Sequence, residues 1–350
     1  MQHFSKTKKW LMASAILWMN CAFWICAGCA LSLWGCNSIS ESRRAVDFRS
    51  DEKPERELSG AFERLDVQHL ANAIRIHRKV ISGGVPEGRA AFEELKHLGI
   101  KTIISVDGIK PDVTSANQFG MAYIHLPHGY NGVSEIRMQE LAKAVLEKDW
   151  PIYIHCHHGK HRSPTAAAVA CVGAGLIPAQ DALSVLKFAT ASPSYLGLYQ
   201  SAALAQRYTE QQLRELKVDY RECAAIPPLA ETMVELDQVF ERVAQPHSVG
   251  WKLEDESSAA VMAHDALLIG EQFAEMQRTE EVQSASVEFH ELVREGELAA
   301  VKLEQLLNAP EGFKVAKDKT RVDRLSQAFD RLKQNCNDCH QKFRDMPLIR

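Results

Sequence analysis

One joint near the middle of the chain constrains the fold most. A short β-branched run at 152–155 (IYIH) leads into a loop at 155–163 (HCHHGKHRS), and an Ala-rich helix follows Pro164 and ends near Gly173 and Gly175. A proline in the first helical turn and glycines at the end are typical of helix boundaries. A strand that enters a helix through one tight loop is the repeating unit of a layered α/β fold.

The segments before this joint alternate between strand and helix patterns. We predict strands at 79–84, 100–106 and 122–126 and helices at 87–98 and 134–148. Such alternation implies a mainly parallel sheet with helices on both faces. The sequence therefore predicts an α/β domain over 73–222, preceded by a polar linker at 37–72.

The 155–163 loop has the properties of an anion site. A strand–loop–helix joint directs backbone N–H groups and the positive end of a helix dipole at one spot. Cys156 lies at this spot, where the local field favours the reactive thiolate. Arg162, six residues later, can grip two oxygens of one anion, and Gly159 permits a tight loop.

The spacing HCxxGxxRS resembles the cysteine-dependent protein tyrosine and dual-specificity phosphatases, and the resemblance covers about 73–215. It implies that Cys156 is the nucleophile that forms a phosphocysteine, and that Arg162 clamps the phosphate. It also implies that the Ser163 hydroxyl helps the thiolate to leave in a second step, and that His155 orients the loop. The expected substrate is a phosphoprotein or another phosphate ester.

The remaining loop residues are predicted to cradle the phosphate: His157, His158, Gly159, Lys160 and His161. Their positive charge suits a multiply anionic phosphate ester, although a solvated loop face is the alternative. Four histidines also raise the possibility of zinc. We expect no metal on this loop, because a phosphate-cradling loop turns its side chains outward rather than towards one point.

The general acid is the one element of the phosphatase family that the sequence does not supply. The family uses an Asp on the loop after the strand that precedes the signature strand, whereas here that loop (126–132, LPHGYNG) has no Asp. Asn131 stands near the expected position, and Asp107 and His128 are the two candidate acids. Asp107 also fits a simple turn. A fold that binds anions without efficient turnover therefore remains the alternative hypothesis.

From Pro227 onward the pattern is helical. One apolar face recurs at Leu229, Met233, Leu236, Phe240 and Val243. Further helices are predicted at 257–277, 282–307 and 319–344. Four helices of this length predict an antiparallel bundle as a second domain over 223–350.

The last helix contains the sequence CxxCH at 336–340. Cys336 and Cys339 lie one turn apart, so each thiol can form a thioether with a haem vinyl group, while His340 reaches the iron. A redox dithiol or half of a zinc site would also contain CxxC, but no second ligand pair is evident in the sequence. The motif therefore predicts covalently bound haem c.

The run CxxCHxxFR at 336–344 resembles the class II c-type cytochromes (cytochrome c′ and c556 types) over about 225–350. The family often has Tyr where Phe343 stands. In its low-spin branch a Met of the first helix is the second axial ligand, which implies that role for Met233. If Met233 only fills the core, the iron is five-coordinate and open to small gases. A redox partner is the expected second partner.

The N-terminus predicts export. A basic stretch at 6–9 (KTKK) precedes 25 uncharged residues at 10–34, and 33–36 (LWGC) resembles a lipobox with Cys36 as the lipidated residue. An uncleaved helical anchor is the alternative. Segment 1–36 thus places the protein on the periplasmic side of a bacterial membrane. The net charge of −4 argues against nucleic acid as a partner.

Overall fold

The computed structural model of the chain describes residues 62–252, 256–308 and 319–348. The predicted export segment (1–36) and residues 37–61 of the predicted linker lie outside this part of the chain. Among the described residues, none of the helices combines the length and the apolar character needed to span a bilayer.

A mixed sheet forms the centre of the N-terminal region. Its strands are β1 (Glu63–Arg64), β2 (Ile74–His77), β3 (Val80–Gly83), β4 (Thr102–Ser105), β5 (Ala122–His125) and β6 (Ile152–His155). Their order is β1-β2-β3-β6-β4-β5. The last four strands in that order pair in parallel, whereas β1, β2 and β3 pair antiparallel. The predicted parallel strands are confirmed, and β1 and β2 are additions that the sequence pattern did not predict.

Helices cover both faces of this sheet, as expected. They are α1 (Gly88–His97), α2 (Val113–Gln118), α3 (Glu135–Glu147), α4 (Arg162–Gly173), α5 (Ala182–Phe188), α6 (Leu196–Ala203) and α7 (Glu210–Glu215). Alternate strand residues enter two separate cores. Ile104 and Ile154 pack with α3, α4 and α5, whereas Ile103 and Tyr153 pack with α1. This is the period-two alternation of a sheet that is buried on both sides.

Helix α4 is buried along its length from Ser163 to Gly173. Its alanines leave room for the neighbouring elements to approach closely. A Cβ added at Gly173 would lie 2.7 Å from the Cβ of Ala142 in α3. Because α4 is enclosed in this way, the loop that precedes it is anchored to a rigid part of the fold.

The C-terminal region is helical. Four helices of 21 residues each, α8 (Pro228–Ser248), α9 (Glu256–Met276), α11 (Val287–Leu307) and α12 (Lys319–Cys339), surround one apolar core, and α10 (Glu280–Gln283) is a short turn between α9 and α11. The predicted face of α8 contributes Leu236 and Val243 to this core. The rings of Phe240 and Phe329 stack at 5.1 Å and join α8 to α12. The four-helix arrangement predicted from the periodicity is confirmed.

The connection between the two regions is held against the sheet. The backbone N–H of His125 donates to the carbonyl of Arg221 at 2.8 Å, and the N–H of Ala224 donates to His125 Nδ1 at 3.1 Å. The Tyr220 hydroxyl donates to the carbonyl of Glu140 at 2.9 Å. This segment therefore covers the edge of β5. Both regions belong to one compact unit, Leu58–Arg350.

Candidate active site

The 155–163 loop joins β6 to α4, as predicted, and its shape depends on one glycine. Gly159 has φ +73°, and a Cβ at this position would lie 2.4 Å from the backbone nitrogen of Gly84. A side chain here would be strained by the backbone conformation and would also collide with the chain after β3. The sequence folds into this tight turn because residue 159 is glycine.

Donors outside the loop fix two of its carbonyl groups. The His157 carbonyl accepts from the Val85 N–H at 3.0 Å, and the His158 carbonyl accepts from Asn72 Nδ2 at 2.8 Å. In a trans peptide the following N–H points away from the carbonyl. These contacts therefore turn the N–H groups of residues 158 and 159 away from those neighbours, as an anion-binding loop requires.

Cys156 lies at the start of this loop and is 3% exposed. Its Sγ lies 3.4 Å from Ser163 Oγ, at the start of α4. The Ser163 hydroxyl in turn donates to the Gly83 carbonyl at 3.0 Å, which holds the oxygen beside the sulfur. The structure thus brings together two of the residues that the motif predicted.

Arg162 is positioned from two sides. Its Nη1 lies 3.0 Å from Asp107 Oδ1, and its guanidinium lies 4.7 Å from the centre of the Tyr130 ring. Its Nε is buried and has no hydrogen-bond partner among the described residues. Burial is the largest single effect and opposes the charge of Arg162, but Asp107, together with Tyr130 and Cys156, outweighs burial and raises the pKa of the guanidinium. A permanently charged donor therefore remains available to an anion.

Asp107 is an ionised partner of Arg162. Burial on its own would raise the pKa of this carboxyl, but the charge of Arg162, with help from the Gly108 N–H, lowers it by more and leaves the pKa below its usual value. Asp107 therefore holds no proton near neutral pH. An ionised carboxylate can orient Arg162, but it has no proton to donate as a general acid.

His128, the other candidate acid, lies on the loop after β5. Its Nδ1–H donates to the Gly129 carbonyl at 2.9 Å, and its Nε2 is buried with no partner in the described part of the chain. Burial, with the nearby charge of Arg162, lowers the pKa of His128 to about 4. The imidazole is therefore neutral near pH 7, with its free nitrogen unprotonated.

His155 is held at the base of the loop by Tyr123. The Tyr123 hydroxyl lies 2.5 Å from His155 Nε2, and the two rings meet edge to face. Burial lowers the pKa of His155 to about 4, although the charge of Asp107 opposes that shift. A neutral, fixed imidazole is consistent with the orienting role that the resemblance implied.

The other loop side chains separate into three directions. His161 turns towards Tyr195, with ring centres 4.7 Å apart, and its Nδ1 accepts from the Ser192 N–H. Lys160 is exposed to solvent. His157 and His158 turn towards α8, where both reach Glu241. The expectation that the loop histidines do not converge is wrong for this pair, because α8 brings a shared acidic partner to them.

The end of α12 carries the predicted haem ligands. Cys336 and Cys339 are free, half-buried thiols that pack against the same apolar core as Met233. His340 follows them at the start of a π-helical turn, His340–Arg344. Burial and the charge of Arg344 lower the pKa of His340 to about 3, which keeps the imidazole neutral. Free thiols one turn apart and a neutral imidazole fit covalent attachment of haem.

The sequence did not predict that this end of the helical region contacts the α/β site. The guanidinium of Arg344 lies 4.3 Å from the centre of the Tyr130 ring, and the N–H of Leu348 donates to the Asn131 carbonyl at 2.9 Å. Tyr130 therefore contacts both Arg162 and Arg344. Tyr130 belongs to no motif, and the motif that contains Arg344 does not predict a contact with the α/β region, so only long-range packing brings these residues together.

Neither a protein-family model nor a curated protein sequence matches this chain. Its α/β part is similar to solved structures. One is TpbA from P. aeruginosa in complex with pTyr, with 18% identity over 44% of this chain and 93% of that chain, and a TM-score of 0.35. Another is the core catalytic domain of the PP-IP phosphatase SIW14 from S. cerevisiae, with 16% identity over 43% and 87% of the two chains and a TM-score of 0.30.

Proposed function

We propose that this protein hydrolyses phosphate esters through a phosphocysteine at Cys156. The observation that carries the proposal is the placement of three groups at one loop: the Sγ of Cys156, the hydroxyl of Ser163 and the guanidinium of Arg162, whose Nε is free to donate. A nucleophile, a hydroxyl within reach of it and a charged clamp are what covalent phosphoryl transfer requires.

The reaction has two balanced steps. In the first, the Cys156 thiolate attacks phosphorus, a P–S bond forms, and the bond to the leaving oxygen breaks while Arg162 binds the phosphoryl oxygens. In the second, water attacks phosphorus, the P–S bond breaks, and inorganic phosphate leaves. Ser163 lies where its hydroxyl can stabilise the departing thiolate in this step.

The electrostatics of the two acid candidates limit the substrate class. Asp107 is ionised and His128 is neutral near pH 7, so neither holds a proton for the leaving oxygen. The enzyme should therefore favour esters whose leaving groups need little protonation, such as the aryl phosphate of phosphotyrosine. A multiply anionic phosphate ester is the second substrate class, favoured by the exposed charge of Lys160 beside the loop.

We also propose that Cys336 and Cys339 would attach haem c and that His340 would bind its iron. The support is the pair of free thiols one turn apart on the core-facing side of α12. When bound, haem would supply one-electron transfer or gas binding, and Met233 on α8 would be the candidate for a second iron ligand. A redox partner would then exchange electrons with the helical region.

The predicted N-terminal signal supports export, with the protein lipid-anchored or helix-anchored on the periplasmic side of a bacterial membrane. The alternative function is an anion-binding phosphatase fold with little turnover that serves an electron-transfer protein. The missing acid on the 126–132 loop favours this alternative, so the proposal needs a direct test of turnover.

The test compares an aryl and an alkyl phosphate on the full chain. We expect measurable release of phosphate from p-nitrophenyl phosphate, slower release from the alkyl ester, and a phosphate adduct on Cys156 in acid-quenched protein analysed by mass spectrometry. Binding of phosphate or vanadate without release or adduct would support the anion-binding alternative. An adduct on another residue would contradict the assignment of the nucleophile.

A further inference from the structure

Two histidines of the 155–163 loop meet two carboxylates of helix α8. Asp237 and Glu241 are four residues apart and share one face of that helix. His157 and His158 approach from the loop, with their ring centres 4.4 Å apart. One potential ligand atom from each of the four residues lies within 4.8 Å of the other three.

Two of the separations between these atoms are close to those of metal ligands. His158 Nε2 lies 3.3 Å from one oxygen of Glu241, and His157 Nε2 lies 3.5 Å from the other. Both distances exceed the usual range for a hydrogen bond of this type, about 2.7–3.2 Å. Ligand atoms at about 2.0–2.1 Å from a tetrahedral Zn²⁺ are about 3.3–3.4 Å apart, which is close to these two distances, so the four ligand atoms would need to draw together from their present spread of up to 4.8 Å.

The charges in the cluster favour a cation. Asp237 and Glu241 are two like charges on adjacent turns of one helix face. Arg242, the next residue of α8, is engaged by Asp265 through a 2.6 Å contact. A divalent cation between the two carboxylates would remove their repulsion.

We propose that His157, His158, Asp237 and Glu241 form a binding site for Zn²⁺. Two imidazole nitrogens and two carboxylate oxygens are ligands that zinc accepts in tetrahedral geometry. The cluster contains no thiol, so none of its ligands is Cys156 or a cysteine of α12. It does not depend on phosphatase turnover.

The position of this site gives it a structural consequence. His157 directly follows Cys156, whereas Asp237 and Glu241 belong to the helical region. Beside the cluster an open cleft of about 310 Å³ is lined by Glu87, His157, Gln238, Glu241, Arg242 and Gln245. Bound zinc would therefore fasten α8 to the 155–163 loop at one wall of this cleft.

Zinc titration of the full chain by isothermal titration calorimetry tests the proposal. The parent should bind one equivalent of Zn²⁺ at this site, and the double variant Asp237→Asn with Glu241→Gln should weaken this binding at least about tenfold. The matched control is Glu231→Gln with Glu235→Gln, which removes two exposed charges at the same spacing on the same helix. The control should bind zinc as the parent does.

The zinc K-edge absorption spectrum identifies the ligands. We expect imidazole nitrogen and carboxylate oxygen, with no sulfur in the first coordination shell. Zinc should also raise the melting temperature of the parent and of the control but not that of the double variant. If the double variant does not fold, His158→Gln provides the same test through an exposed ligand. No zinc binding, unchanged affinity in the variants, or sulfur coordination would each overturn the proposal.

Discussion

Cys156 and the cysteine pair of α12 differ in the polar groups beside them. Cys156 lies at the start of a loop that leads into a helix, beside the hydroxyl of Ser163 and close to the charge of Arg162. Cys336 and Cys339 lie against an apolar core, where burial raises the pKa of their thiols to about 12 and about 11 respectively. Under the proposed function, the same side chain would serve as a nucleophile in one region and as an attachment point for haem in the other.

Replacing the nucleophile should have the largest effect. Cys156→Ser removes the thiolate but leaves the loop N–H groups and Arg162, so turnover of p-nitrophenyl phosphate should fall at least about a thousandfold while phosphate or vanadate still binds. Steady-state kinetics and calorimetry measure the two quantities. Cys223→Ser, at an exposed thiol, is the control and should keep full activity. Residual activity of Cys156→Ser within a factor of about ten of the parent would contradict the covalent mechanism.

The second change concerns the other pair of thiols. Cys336→Ala with Cys339→Ala should abolish covalent haem, because both thioether bonds are then impossible. Acid–acetone extraction followed by absorption spectroscopy of the protein fraction measures the attached haem. The same extraction of Cys223→Ala should leave haem on the protein. Haem that resists extraction from the double variant would show that the attachment site lies elsewhere.

The pH dependence of stability should show that His155 is held as a neutral imidazole. Burial lowers the pKa of His155 from 6.5 to about 4, so the unfolded chain binds a proton more readily than the folded chain between these values. The contribution of His155 to stability is complete above pH 6.5 and decreases as the pH falls to 4, by about 3 kcal/mol in total. His155→Gln removes this titration. Urea unfolding at several pH values should therefore show a weaker pH dependence for the variant, and equal dependence would contradict a buried neutral imidazole.

Asp107→Asn should separate two roles for this carboxylate. If Asp107 orients Arg162, its loss should reduce kcat/KM about 10–100-fold, and by the same factor for an aryl and an alkyl phosphate. If it were the general acid, the alkyl ester would suffer much more, because its leaving oxygen needs the proton. The measurement is the loss of kcat/KM for the alkyl phosphate divided by the loss of kcat/KM for the aryl phosphate. Asp112→Asn, at the N-cap of α2, is a control outside the site.

The sequence predicted features formed by residues close together in the chain and missed contacts between residues far apart in the chain. In the joint at 152–175, the strand, Gly159, Arg162 and the helix follow one another within one short stretch. The local sequence pattern was therefore sufficient to predict this joint. Strand β1 has only two residues, and the edge strands β1 and β2 lack the α/β alternation that predicted the rest of the sheet. The contact of His157 with Glu241 joins residues 84 positions apart and depends on how α8 packs. The role of Asp107 likewise depends on Arg162, which follows it by 55 positions.

The smallest expected effect concerns the strength of one contact between the two regions. Arg344 of the helical region lies over the Tyr130 ring of the α/β region at 4.3 Å, and a cation–π contact at a partly exposed site contributes about 0.5–1 kcal/mol. A double-mutant cycle of Arg344→Ala with Tyr130→Leu isolates this energy from the other consequences of each change. We expect a coupling of that size in the free energy of unfolding in urea.

The control cycle pairs Tyr130→Leu with Arg331→Ala, whose guanidinium is engaged by Glu295 on α11, and should be additive. Zero coupling in the first cycle would show that this cation–π contact does not link the stability of the two regions. A measurable coupling would mean that changes at the end of α12 reach the ring that packs on Arg162.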